Sequence, residues 1–565
     1  MVTGTTNTFP RWYAFAVLGA LSTLVAVLLV LPVSLPIGAM YWDSHLYLDA
    51  ANRISNGQIP HADFFAPVGA LGYYLSALVL MLPSPQTLLA SSWSILLITV
   101  PTMALVTWDV GRRDGLLALL LVLPFFIFSL LPWNTTPYYP FPGADGFAVY
   151  NRHTAQMLYV LVAAVIFMRH QVALGAAITI LMVGLFLIKI TGFISGGLLC
   201  VIAFASGRVH WKTAVASATT AVALLGAVEL AAQNMVSAYL SDILLLVGMN
   251  AEGLASRFVQ AASRTSGTTL FAVILGLFIL WKTRSDWTAK FRAGKFAQLF
   301  DHPAMWLGAV VFAGLFFESQ NTGNQEMLLL WPVVILIAYG INIRETRPSI
   351  AFVALGLCAA TVLPMTTAII QHASRALFGM VNHEPLQVQN LKNAGQLTMR
   401  SNMSNRARSM REIYIETQAY EEAVLDAGAL PSFLLFSDFD FQILHHLNMD
   451  EAVGALKDLE AEGLEYETVM TLDFTNPFPW LLDKQAPLHI TIGADPFRAV
   501  PSPDEETMDA VRRTDLVLVP TCPFSLNVKA LFDIYREALD EHQRVSLTSC
   551  HDALMHPSVY ENFKS

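Results

Sequence analysis

The chain has 565 residues, of which 55% are hydrophobic and 13% charged, with a mean hydropathy of +0.51. Soluble domains run at roughly a quarter charged residues, so a simple cytosolic enzyme is excluded. Residues 1–370 carry 18 Lys and Arg against 14 Asp and Glu, a net of +4, whereas 371–565 carry 15 against 29, a net of −14. The first part reads as a polytopic α-helical membrane protein and the second as an acidic soluble tail, which excludes nucleic acid as a partner of the tail.

A span needs about 20 mainly apolar residues. The first runs from Trp12 to Leu35 behind Arg11, with no small-residue cleavage site after it, and reads as an uncleaved anchor. Further apolar stretches fall at 87–107, 115–131, 154–168, 173–188, 190–206, 213–232, 267–281, 303–317, 327–342 and 349–370, giving about eleven transmembrane helices. The stretch 67–83 would be a twelfth, and the positive-inside rule arbitrates. Without it, 13 of the 18 basic residues of 1–370 share the side of the N-terminus; with it, most fall outside. We therefore read 67–83 as a helix at the outer interface, with Tyr73 and Tyr74 at headgroup level. The N-terminus is then cytoplasmic, the tail extracytoplasmic, and the outer loops are 36–66, 132–153, 233–266 and 318–326.

The tail alternates β-rich runs with helical ones. Strands are predicted at Ser432–Ser437, Glu467–Leu472, Leu488–Ile492, Asp515–Val519 and Arg544–Leu547, with helices at 449–462 and 527–541. This gives three parts: a membrane domain over 1–370, a helical linker over 371–430, and an α/β domain over 431–565. Cys200 and Cys358 lie in apolar runs and read as small buried hydrophobes. Cys522 and Cys550 lie in the tail, where an oxidising compartment would allow them to pair. Asp438-Phe439-Asp440 reads as a strand-end turn. His445-His446 read as adjacent helix positions that point apart and hold no metal.

The first outer loop is the most informative stretch. It runs Tyr41-Trp42-Asp43-Ser44-His45-Leu46-Tyr47, then Asn56-Gly57-Gln58-Ile59-Pro60-His61-Ala62-Asp63-Phe64-Phe65. Asp43, just after the first span, stands where a carboxylate meets a membrane-level cavity, and ionisable groups at that depth default to functional hypotheses. A solvated loop carboxylate would occupy the same place. The fourth outer loop, 318–326, is dense in amides and carboxylates, among them Asn321, Asn324 and Glu326, as saccharide contacts or a plain solvated hairpin would be.

An aromatic-Asp after the first span, Tyr47 four residues on, Asn-Gly-x-Ile-Pro, Asp-Phe-Phe and Pro-Val-Gly-Ala-Leu-Gly-Tyr-Tyr-Leu together resemble the opening of GT-C membrane glycosyltransferases. Similar openings occur in the aminoarabinose lipid A transferases, the protein mannosyltransferases and the rhizobial-type surface-glycan transferases. Tyr150-Asn151-Arg152 and Leu187-Ile188-Lys189-Ile190-Thr191-Gly192 fit the same pattern. The aminoarabinose transferases carry Glu-Lys before the Pro that opens the interfacial helix, where this chain has Phe65-Ala66 before Pro67, so no role of that pair carries over. The tail has no counterpart in that family that we recognise.

The resemblance implies an enzyme of the bacterial inner membrane. It would move a sugar from a polyprenyl-phosphate donor to a glycan or lipid acceptor on the periplasmic side, in keeping with a chain that has no Gly-rich phosphate loop. It casts Asp43 as the general base of an inverting transfer and Arg152 and Lys189 as the phosphate cations. Tyr47, His61, Asp63, Asn151, Asn321, Asn324 and Glu326 are further candidate substrate contacts. No cofactor is implied, and dependence on a divalent metal is left open. The alternative class is a transporter, flippase or scaffold for lipid-linked saccharides, although no inverted repeat is visible. A membrane anchor for a catalytic tail is disfavoured, because the tail shows no nucleophile, base or metal constellation.

Overall fold

The computed structural model describes residues 10–136, 142–250, 253–321, 323–341, 346–429 and 439–564. A helix covers each of the eleven apolar stretches. Six helices among the described residues are long and apolar enough to cross a membrane: Trp12–Val30, Thr87–Gly111, Gln171–Ile188, Trp211–Ala231, Ser266–Arg292 and Pro348–Asn382. Counting the bent pair Met235–Asn250 and Ala255–Arg264 as one span would make seven. Gly115–Leu130, Ile190–Ala205, Pro303–Glu318 and Leu330–Gly340 are apolar but shorter.

Helix Val149–Phe167 is the hub of the membrane half. Every residue except Tyr150 is buried, and it packs against Leu96–Gly111, Gln171–Ile188, Ile190–Ala205 and Leu330–Gly340. Its polar first turns, Tyr150-Asn151-Arg152-His153-Thr154, are therefore enclosed by protein, the arrangement that tolerates polar groups at membrane depth. Helix Trp211–Ala231 is the opposite case, with only Ser217 buried, as an apolar helix bathed in lipid would be. Leu71–Leu80 has ten residues, about 15 Å at 1.5 Å per residue, half of a hydrocarbon core.

The third outer loop differs from the expectation. Residues 233–266 contain two helices, Met235–Asn250 and Leu254–Arg264; the first is apolar but short, and only the two together are long and apolar enough for a span.

The tail is built on a mixed sheet in the order Val469–Thr471, Leu516–Pro520, His551–Met555, Gln543–Thr548, the first pair parallel and the others antiparallel. Strand alternation sorts its side chains to two cores. Leu516, Leu518, Ala553 and Met555 meet Met449, Val453 and Leu456 of helix Phe439–Ala461. Val517, Val519 and Leu554 meet Val511 of helix Glu505–Arg512 and Val528, Leu531 and Tyr535 of helix Leu526–Leu539. Cys522 and Cys550 are joined in a disulfide, with Cα atoms 4.8 Å apart.

The expected strand Ser432–Ser437 lies outside the described residues, and strand His551–Met555 was not anticipated. Leu488–Ile492 is not a strand of this sheet. Its backbone instead pairs with the first outer loop, His489 N–H donating to Asp63 O at 2.6 Å and Ile492 N–H to Phe65 O at 3.1 Å. Within 371–430 the long helix is Ser401–Asp426. Before it, Leu397–Met399 pairs with both Glu384–Pro385 and Leu35–Pro36, which stitches the exit of the first helix to the tail.

Candidate active site

The first outer loop folds as a tight turn, Tyr41–Ser44, followed by helix His45–Ser55, and both are sandwiched between the membrane half and the tail. Met40 enters the turn at φ 52°. Gly146 of the second outer loop lies so close that a Cβ there would sit 2.6 Å from Tyr41 O; only glycine lets the two backbones touch.

That contact brings the backbone N–H of Ala148 to Asp43, whose Oδ2 accepts it at 2.7 Å. Asp43 is 5% exposed. Burial pushes its carboxyl up to about 7, the Ala148 N–H pulls it down, the neighbouring Asp145 charge pushes it up, and the Arg152 guanidinium pulls it down. A carboxylate near 7 is suited to accept a proton at neutral pH.

Arg152 opens the hub helix one turn from Ala148. It donates through Nη1 to Asp145 O at 3.1 Å, while its buried Nε and Nη2 have no partner. A guanidinium with two unpaired nitrogens away from water is expensive unless an anion arrives. The Tyr47 hydroxyl is buried and unpartnered as well, 5.6 Å ring to ring from Tyr73, and it lies within electrostatic reach of Asp43, Tyr150 and Arg152. Asp43, Tyr47 and Arg152 are thus brought together.

Lys189 stands beside this cluster at the turn between Gln171–Ile188 and Ile190–Ala205. Its Nζ lies 5.1 Å from the centre of the Tyr150 ring, donates to Asn151 Oδ1 at 2.7 Å and also bonds Asn321 Oδ1. Asn151 Nδ2 donates to Gly323 O at 2.9 Å. Asn324 Nδ2 donates to Glu318 Oε2 at 2.8 Å, and Arg264 binds Glu326 at 2.9 Å and Glu318 at 3.5 Å. Asn151, Lys189, Asn321, Asn324 and Glu326 therefore form one connected network. Its internal bonds make the fourth loop a frame around Lys189, with Asn324 Oδ1 and Glu318 Oε1 left unpartnered.

Two candidates lie elsewhere. His61 Nδ1 meets Asp242 Oδ2 at 2.7 Å and its ring packs 4.7 Å from Tyr239, so it fastens the first loop to the third-loop helix. Asp63 Oδ2 accepts the Ile59 N–H at 2.6 Å and closes its own turn. Among the described residues no group of three His, Cys, Asp or Glu side chains converges to hold a metal ion. Asp145, which shapes the field at Asp43, and Gln442, which donates no bond to Asp43 but touches its turn, were not singled out by sequence; an acid flanked by Gly143 and Gly146 was the available signal for the first.

No protein-family profile and no curated protein sequence matches the chain. Among solved structures it is similar to ArnT from Cupriavidus metallidurans. In the apo state the identity is 13% and the TM-score 0.38, covering 96% of this chain and 98% of that one. Bound to undecaprenyl phosphate, the same protein gives 12% and 0.40, covering 97% and 99%. It is also similar to the archaeal oligosaccharyltransferase AglB from Archaeoglobus fulgidus, in complex with an inhibitory peptide and a dolichol-phosphate, at 10% identity and a TM-score of 0.33, covering 98% and 75%. At these identities and scores no residue role passes from them to this chain.

Proposed function

We propose that the chain is an integral-membrane glycosyltransferase that moves a sugar from a polyprenyl-phosphate donor to a glycan or lipid acceptor outside the cytoplasm. The observation that carries this reading is a buried carboxylate, held by the Ala148 N–H, within electrostatic reach of a buried guanidinium with two unpaired nitrogens. That pairing supplies a proton acceptor and an anion site in one enclosure.

Asp43 takes the proton of the acceptor hydroxyl as its oxygen bonds to the anomeric carbon. The bond from that carbon to the phosphate oxygen breaks on the opposite face, with inversion. The electron pair leaves with the lipid phosphate, whose charge Arg152 receives bidentately and Lys189 as a point charge. Tyr47 and the Asn151–Asn321 frame orient the reacting groups.

The topology proposed with this has eleven crossings, the N-terminus in the cytoplasm of a bacterium and the tail in the periplasm. The Cys522–Cys550 bond supports an oxidising compartment for the tail. The ten-residue length of Leu71–Leu80 supports an interfacial helix. Ser84→Cys should be labelled by an impermeant thiol reagent from outside; labelling only from inside would invert every later crossing.

The decisive experiment compares lipid-linked sugars and surface glycans by mass spectrometry in cells with the wild-type protein, with Asp43→Asn and without the gene. One sugar should disappear from the glycan in both mutants while its polyprenyl-phosphate form accumulates. Glycans intact with Asp43→Asn but altered in the deletion would favour transport or scaffolding.

A further inference from the structure

The tail lies against the turn that carries Asp43. Helix Phe439–Ala461 turns two pairs four apart toward it, Phe441 with His445 and Gln442 with His446. Gln442 is fully buried, and its Oε1 accepts the backbone N–H of Trp42 at 3.2 Å, across 400 residues of sequence. This N–H opens the Tyr41–Ser44 turn, where donors lack a partner inside the turn itself. The side chains around it interleave. The His446 ring lies 5.6 Å from Tyr41 and 5.0 Å from His45, and the His445 ring stacks on His45 at 5.6 Å. Phe441 and Phe474 flank Trp42 at 6.3 and 4.5 Å. His445 and His446 do not point apart, as adjacent helix residues would on a free surface; both turn to His45.

We infer that Gln442 is a positioning residue for the transfer reaction, holding the Trp42 backbone so that the next residue, Asp43, stays enclosed against Ala148 and Arg152. The inference rests on the reading of Asp43 as base. It assigns the tail a task inside the active site: helix Phe439–Ala461 is the outer wall of the catalytic turn.

On the membrane side the charged and titratable groups near Asp43 are Asp145, Arg152, Tyr47, Tyr73 and Tyr150. On the tail side are the neutral rings of His45, His445 and His446, with His551 and Arg411 behind them. Burial holds His445 down to about 3 and His446 to about 4. The docked wall therefore contributes stability above the ordinary imidazole value of about 6.5 and loses it progressively as pH falls below that.

The test uses the full-length protein. Its donor is the lipid-linked sugar fraction that accumulates without the gene, and its acceptor is membranes from the same cells. Gln442→Met keeps the shape and removes the acceptor oxygen; Gln442→Glu keeps an acceptor at the same reach. We expect Gln442→Met to lower kcat about tenfold with KM for the lipid donor unchanged, a 1.4 kcal/mol effect by the usual conversion. The acid limb of its kcat/KM profile should move from near 7 toward ordinary carboxylate values as the turn loosens and water reaches Asp43, and Gln442→Glu should recover most of kcat. If Gln442→Met fails to fold, Gln442→Asn, which draws the acceptor oxygen back from the Trp42 N–H, is read in the same way. A folded variant with wild-type kcat, or with its acid limb unmoved, overturns the inference. Asp43→Asn that remains active sinks the base reading itself, whereas an inactive Asp43→Asn beside wild-type Gln442 variants sinks this inference alone.

Discussion

Two buried acid and arginine sets, whose acids lie six residues apart in the first outer loop, behave differently. In helix His45–Ser55, Arg53 Nε meets Asp49 at 2.8 Å, and Arg53 Nη1 reaches Gln58 and the tail carbonyl of Pro487. At the preceding turn, Asp43 bonds a backbone N–H and Arg152 bonds a backbone carbonyl, and the two act on each other only through space. In the first set the charges pair directly, with only Arg53 Nη2 left without a partner, and the pair holds the tail. In the second each is held by a backbone group instead, and the guanidinium keeps two buried nitrogens without a partner.

The largest expected effect breaks the open set. Asp43→Asn should lower transfer by about 10²–10⁴-fold, the usual share of a positioned base. It should also stabilise the protein. The folded carboxyl lies near 7 and the unfolded one near 4, so the native state binds the proton more tightly between these values and stability falls as pH rises through the window. Above pH 7 the variant should gain up to about 4 kcal/mol over the wild type, read in detergent as a melting-temperature advantage over the wild type that is larger at pH 8 than at pH 5. A variant that loses both activity and stability would make Asp43 another structural carboxylate.

Breaking the closed set should have the opposite signature. Asp49→Ala leaves the Arg53 guanidinium buried without its counter-ion and should cost about 3–5 kcal/mol of stability, measured by thermal unfolding. Arg152→Gln removes a guanidinium that has no carboxylate partner, so it should cost transfer rather than stability. Without that positive charge the acid limb of kcat/KM should move up. If Arg152→Gln melts early and Asp49→Ala does not, the assignment of the two sets is reversed.

A third effect concerns how the tail is held together. Cys522 and Cys550 close a loop of 28 residues, for which chain entropy predicts roughly 3.6 kcal/mol. Replacing both by Ser should lower the melting temperature of the tail. Protease sensitivity should increase in the tail and leave the hub helix protected.

What the sequence disclosed follows the range of the interactions involved. Each apolar stretch announces its helix because hydropathy is local. Asp43, Arg152 and Lys189 stood out because charges at membrane depth are rare. The third-loop helices were missed because the apolar run of Met235–Asn250 is only 16 residues long and is interrupted by Asp242. Leu488–Ile492 has the alternation of a strand, and Ile490 and Ile492 are indeed buried, but its partner is the first outer loop. His551–Met555 lacks the β-branched residues that mark strands. The Ala148 N–H that holds Asp43 is backbone, and Gln442 lies 400 residues from the N–H it accepts; no local pattern reports either.

The smallest effect sharpens the difference between two aspartates that the sequence offered side by side. Asp63 spends Oδ2 on the Ile59 N–H, whereas Asp43 has its carboxyl lifted by burial. Asp63→Ala should loosen that turn by about 1 kcal/mol, the net worth of one hydrogen bond, and leave the acid limb near 7. The loosening should also reach the tail, because Asp63 O accepts the His489 N–H; hydrogen exchange at His489 is its most direct readout. A shift of the acid limb in Asp63→Ala would instead mean that this turn, like the tail wall, sets the enclosure of the base.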